Sequence, residues 1–177
     1  PLDFTLHPDG RPDEWAERLE AEILPTGSLR RLRGGRIQDM HGFEQGVWWI
    51  QDAAAALPVK LFGPVSTATV LDLCAAPGGK TAQLAAAGAK VVAVDRSAKR
   101  LDLVRNGLKR LNLHADLVAA DAAEWDSGHR FSHILLDAPC TATGTLRRHP
   151  DVAYLKSPDD IAKMARVQRR MLDHAAT

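Results

Sequence analysis

Four short apolar runs, each closing on an acid or a small-residue loop, limit what this chain can fold into. They are Val70 to Cys74, Lys90 to Val94, Leu117 to Ala120 and Phe131 to Leu136. The first closes on a loop containing Pro77, Gly78 and Gly79; the others close on Asp95, Asp121 and Asp137. Thr81 to Ala87, ended by Gly88, reads as a helix. So does Ala98 to Leu111, with Leu101, Val104, Leu108 and Leu111 on one face. A last helix is expected over Ile161 to Ala175. Strands alternating with helices at these intervals form βαβ units around a parallel sheet. Ligands of such sheets bind outside the carboxyl ends of the strands. Cys74, Asp95, Asp121 and Asp137 therefore belong on one edge.

Residues 1–40 have a different pattern. Leu2 to Leu6 alternates apolar and polar residues, as a half-buried strand does. Pro12 to Leu24 has helical spacing, with Trp15, Leu19 and Ile23 on one face, and Pro25-Thr26-Gly27 closes it. This predicts a small α+β segment leaning on an α/β domain over residues 41–177. Arg30, Arg31, Arg33 and Arg36 follow, with no acid between Glu22 and Asp39. Such a cluster is either a solvated face or a patch for RNA phosphates. Val47 to Ile50 is a short apolar run, and Gln51 to Leu61 is Ala-rich and helix-like, with Pro58 as an interruption.

No apolar run approaches the roughly 20 residues that span a bilayer, and no charged-then-apolar leader opens the chain; a cytoplasmic protein is expected. Cys74 and Cys140 are the only cysteines, too few for a disulfide scaffold or a four-thiolate zinc site. No metal is expected. The net charge of +1 means that any affinity for a polyanion must come from local patches.

Cys74-Ala75-Ala76-Pro77-Gly78-Gly79-Lys80-Thr81 joins a strand to a helix. Its small residues let backbone N–H groups approach a ligand at a helix N-terminus. Gly79-Lys80-Thr81 matches the tail of a phosphate-binding loop, but Cys74 stands where that loop needs its first glycine. A P-loop-like NTPase is therefore one expectation. An acid ending the second strand accepts ribose hydroxyls in nucleoside-binding sheets, and an NTPase needs none there. With Asp121 ending the third strand, the set suits a nucleoside without a phosphate chain, S-adenosylmethionine. A non-catalytic RNA-binding module, using the arginines, is the third expectation.

Asp72 to Thr81 resembles the first motif of RNA cytosine-5 methyltransferases, and Asp137-Ala138-Pro139-Cys140-Thr141-Ala142-Thr143-Gly144 resembles their fourth. Leu146 to Asp151, and Gly42-Phe43-Glu44-Gln45-Gly46 leading to Gln51-Asp52, are similar to the bacterial ribosomal-RNA branch, the Sun/Fmu group. The resemblance implies a Rossmann-like class I S-adenosylmethionine-dependent methyltransferase fold, with helices on both sheet faces and further strands beyond Thr177. It implies methylation of cytosine C5 in RNA, with 16S ribosomal RNA as the substrate and a single-stranded or loop cytosine as the target.

The resemblance also implies the site. Cys74, Ala75, Ala76, Pro77, Gly78, Gly79 and Lys80 would cradle the methionine end of the cofactor. Asp95 would hold the ribose with Arg100 nearby, Asp121 would lie near the adenine, and Asp137 would face both cofactor and base. Cys140 and Asp137 would be the catalytic pair present here. Arg30, Arg31, Arg33, Arg147 and Arg148 would meet RNA. The family's attacking cysteine, in a Thr-Cys strand, would follow Thr177, and its helical RNA-binding domain would precede Pro1. The chain by itself is expected not to turn over.

Overall fold

A computed structural model describes residues 1–146 and 150–177. The chain opens with β1 (Leu2–Leu6), α1 (Pro12–Arg18), β2 (Glu22–Ile23), β3 (Leu29–Arg31) and β4 (Trp48–Ile50). These strands form an antiparallel sheet in the order β2-β3-β1-β4, so the small sheet reaches past residue 40. Its core is Phe4, Leu19, Leu29 and Trp48, with Phe4 edge-on to Trp48 at 4.9 Å. Asp3 and Arg30 face each other across β1 and β3. Arg30 Nε and Nη2 each donate to the Asp3 carboxylate at 2.7 Å. The hydrogen bond from Arg30 is the main reason the Asp3 carboxyl is held below its ordinary value.

The α/β part follows as α2 (Leu57–Lys60), β5 (Thr69–Leu73), α3 (Gly79–Ala86), β6 (Lys90–Asp95), α4 (Ala98–Arg110), β7 (Asp116–Ala119), β8 (His133–Leu136), α5 (Val152–Leu155) and α6 (Pro158–Ala175). The sheet is parallel in the order β7-β6-β5-β8. β5 is its pivot: the chain steps to β6 and β7 on one side and returns to β8 on the other. Alternate residues of β5 feed the two faces. Val70 packs with Val59 of α2 and Leu84 of α3, while Leu71 and Leu73 pack with Met171 of α6. Leu101, Val104 and Leu108 of α4 join Ala82 and Trp49 in a third cluster. Helices thus cover both faces, as the pattern of apolar runs predicts. Among the described residues no helix is long and apolar enough to cross a membrane.

Two helix expectations need correction. The first helix ends at Arg18, because Glu20 takes a positive φ of 51° and Glu22–Ile23 pairs with β3. Gln51 to Leu61 is helical only over Leu57–Lys60. The Ala53 N–H donates to Asp3 and the Ala54 N–H to Asp52. Side-chain acceptors thereby compete with helix formation.

The small sheet is fixed to the α/β part by Arg110 and Gln51. Arg110, at the end of α4, donates to the carbonyls of Phe43 at 2.8 Å and Trp48 at 3.0 Å, and lies 4.4 Å over the Phe43 ring. Gln51 accepts from Thr5 and Trp49 and donates to Gln83 of α3 at 3.0 Å. Gly46 completes the junction. A Cβ there would stand 2.2 Å from the Arg110 carbonyl oxygen, and its φ is +68°. Gly46→Ala is expected to destabilise the chain by about 3 kcal/mol through overpacking and backbone strain. The denaturant midpoint measures it, and an unchanged midpoint would contradict this close approach.

Candidate active site

The rim formed by the carboxyl ends of β5, β6 and β8 carries the polar groups expected from the sequence. Cys74 leaves β5 with a positive φ of 64°. Ala75 N–H donates to the Val94 carbonyl at 3.0 Å, and Ala76 N–H to Asp95 Oδ2 at 3.1 Å. The loop is therefore pinned to β6 before Gly78 caps α3. Gly78 has a φ of +102°, and a Cβ on it would meet Val104 at 3.0 Å. Glycine is needed here for both its conformation and its size.

Asp95 ends β6 and is almost wholly buried. Besides Ala76, it accepts from Ser97 N–H at 3.0 Å, and Arg100 lies 3.4 Å from Oδ2. Arg100 also donates to the Ala76 carbonyl, so its guanidinium ties the loop to the acid. Asp121 follows β7, accepts from Ala123 N–H at 2.9 Å and faces Arg170 at 3.8 Å. Asp137 follows β8 and is half-exposed; its Oδ2 takes the Lys80 ammonium at 2.6 Å. Lys80, the residue a phosphate loop would aim at its anion, is thus directed to a carboxylate.

Cys140 is exposed, and Ala142 N–H donates to its sulfur at 3.3 Å. Cys74 is half-buried, and burial chiefly, with Asp95, Asp137 and Asp72 adding to it, pushes its thiol up to about 11. It stays a neutral packing thiol beside Met171, whose sulfur is 4.0 Å away. The two cysteines are therefore chemically distinct, with only Cys140 open to a substrate.

The arginines expected to meet RNA differ in their partners. Arg30 is held by Asp3 and Arg31 donates to Glu20 at 3.2 Å, while Arg33 is largely exposed and 4.0 Å from Glu20. Arg147 and Arg148 lie outside the described residues.

Sequence reasoning missed Asp72 as a site residue. Its side chain is fully buried and accepts from Thr81 Oγ1 at 2.6 Å, tying β5 to the first turn of α3 across the loop. Burial chiefly pushes its carboxyl up to about 7; Thr81 and Lys80 pull it down, and Asp137 and Asp95 raise it further. The available signal was an acid inside an otherwise apolar strand, Val70-Leu71-Asp72-Leu73. A cavity of about 510 Å3 lies elsewhere, under the end of α6, lined by Leu71, Leu73, Trp125, Ile134 and His174. None of the rim acids lines it.

Comparison with known proteins agrees with this geometry. Residues 59–177 match the family model for 16S rRNA methyltransferase RsmB/F. The chain is 48% identical over 176 residues to ribosomal RNA small subunit methyltransferase B of Pseudomonas syringae pv. tomato, covering 92% of this chain and 39% of that protein. It is similar to NSun6 from Pyrococcus horikoshii with SFG, at 32% identity and a TM-score of 0.71, covering 80% of this chain and 38% of that one. A methyltransferase homolog protein from the same organism matches with a TM-score of 0.82 and 26% identity over 98% of this chain and 59% of that one. The chain spans 38–40% of the length of curated relatives such as those from Yersinia enterocolitica and Cronobacter sakazakii. The parallel sheet with its rim of acids is a Rossmann-like methyltransferase fold, and the chain belongs to the RsmB/F family of 16S rRNA methyltransferases.

Proposed function

We propose that this chain is the cofactor-binding part of an S-adenosylmethionine-dependent methyltransferase acting on cytosine C5 of 16S ribosomal RNA. One observation carries the proposal. Asp95 and Asp137 flank the Cys74–Lys80 loop on a single rim, with Cys140 three residues beyond Asp137. The donor set fits a nucleoside with a cationic, phosphate-free tail: carboxylates line the rim, and Lys80 is neutralised by Asp137. Neither an NTPase nor a non-catalytic RNA module is supported by the comparisons.

Asp95 accepts the ribose hydroxyls. Each of its oxygens takes one backbone N–H and keeps a lone pair. Arg100, whose side chain is half-exposed, lies 3.4 Å from Asp95 Oδ2 and pairs with that carboxylate. Ala75 to Gly79 lies under the methionine end, and Asp121 bounds the adenine side. When bound, the cofactor supplies a methyl group from its sulfonium.

The target base must leave its stack to reach the rim. A thiolate adds to C6, and the ring electrons make C5 nucleophilic. N3 takes a proton from water as the ring accepts that charge, and the Asp137 carboxylate, held by Lys80, accepts a hydrogen bond from that N3–H. After C5 is methylated, a base removes its proton. The C5–H electron pair re-forms the C5–C6 double bond, and the C6–S bond breaks with its electrons on sulfur. Cys140 carries out this release.

Calorimetry of this chain with S-adenosylhomocysteine is expected to give one site, with no heat from Mg-ATP. In the full-length polypeptide, Cys140→Ala is expected to accumulate an RNA adduct that survives denaturation. A folded protein that binds no S-adenosylhomocysteine would refute the assignment.

A further inference from the structure

α6 touches the rim at several points. Met171 packs on Cys74, Arg170 faces Asp121, and His174 bonds the Trp125 carbonyl at 2.9 Å. One turn nearer its N-terminus, Gln168 Nε2 donates to the Pro139 carbonyl at 2.8 Å, across 29 residues of sequence. A carbonyl only accepts, so the amide must present its NH2 group.

Pro139 immediately precedes Cys140 and has no N–H of its own. Its carbonyl and the Cys140 N–H are the two backbone groups of the peptide plane that joins them, and α6 holds the carbonyl. Fixing that oxygen fixes the plane that holds the Cys140 nitrogen and Cα, and with it the point from which the cysteine side chain springs. On the other flank, Ala142 has a positive φ of 60°, its N–H bonds the Cys140 sulfur, and Thr145 Oγ1 bonds its carbonyl at 2.7 Å. The cysteine turn is therefore clamped downstream by its own residues and upstream, at Pro139, by Gln168 of α6.

We propose that Gln168 is the positioning residue for Cys140: its side-chain amide holds the Pro139 carbonyl so that the thiol faces the target base. The assignment builds on the release role given to Cys140 above. Gln168 touches neither base nor cofactor and acts only through the turn. Removing its donor leaves the rim intact and lets the turn rotate, so release slows while methyl-donor binding does not.

The test uses the full-length polypeptide, with Cys140→Ala as the reference. Gln168→Met keeps length and helix propensity but has no donor; Gln168→Lys keeps a donor of sufficient reach. Gln168→Met is expected to lower turnover about tenfold, as a misplaced catalytic group does. It should accumulate the same denaturation-resistant RNA adduct as Cys140→Ala, with S-adenosylhomocysteine affinity and melting temperature unchanged. Gln168→Lys is expected to restore most turnover. Gln168→Asn, too short to reach, should repeat the Met result if Met itself perturbs α6.

An adduct with Cys140→Ala but none with Gln168→Met or Gln168→Asn would overturn the positioning role. Parallel loss of turnover, cofactor affinity and stability would also overturn it. No adduct with Cys140→Ala would overturn the release role itself, and the assignment with it.

Discussion

Asp95→Ala is expected to reduce affinity for S-adenosylhomocysteine at least about 100-fold, the equivalent of about 2.7 kcal/mol. The carboxylate is nearly buried, and it organises the loop as well as receiving the ribose. Its loss leaves the Ala76 N–H without an acceptor and Arg100 without its anion. It also removes two charge-assisted acceptors for the sugar, each worth about 1.5–3 kcal/mol. Asp95→Asn keeps the shape and one acceptor, so an intermediate loss of about tenfold is expected. Calorimetry on folded variants reads both. Affinity of Asp95→Ala within threefold of the parent would remove the ribose from this acid.

The second large effect is on stability against pH. Burial chiefly raises the Asp72 carboxyl from 3.8 to about 7, so the folded chain keeps a proton that the unfolded chain releases. The stabilisation is complete below the unfolded value near 4 and is lost as pH rises through about 7. Its ceiling is about 4 kcal/mol, because each tenfold gain in proton affinity on folding is worth about 1.4 kcal/mol. Asp72→Asn cannot ionise and still accepts from Thr81. Its stability should therefore gain on the parent between pH 5 and pH 8. Asp3 does not mask this, because its lowered carboxyl stabilises the fold above the ordinary carboxylate range and acts only in stronger acid. Urea unfolding of both proteins at the two pH values measures the difference. An equal difference at both would show that Asp72 titrates as an ordinary acid.

β5 and β6 were legible because they are the most buried strands of the parallel sheet and read as continuous apolar runs, as Val91 to Val94 does. The acids closing the strands were legible for the same reason, since an apolar run that stops on Asp95 or Asp137 leaves that residue at the strand end. Helix spacing misled in the N-terminal part. Trp15, Leu19 and Ile23 fit one face, yet Ile23 is well exposed and Glu22–Ile23 pairs with β3 instead. Cross-strand bonding there outweighed local preference. The arginine cluster hides a difference of another kind: four neighbouring positive charges look alike in sequence, while Asp3 engages Arg30 and Glu20 faces Arg31 and Arg33.

Periodicity, loop composition and two long motifs were enough to determine the strand–helix alternation of the α/β part and the acids at its strand ends, because each depends on residues close together in the chain. Tertiary structure alone decided which groups meet across long separations: Lys80 with Asp137, Gln168 with Pro139, Arg110 with Phe43 and Trp48. Those contacts arise only when the sheet closes in the order β7-β6-β5-β8 and the helices settle on it. A local pattern says which face a residue prefers; close packing of the whole chain determines what stands opposite.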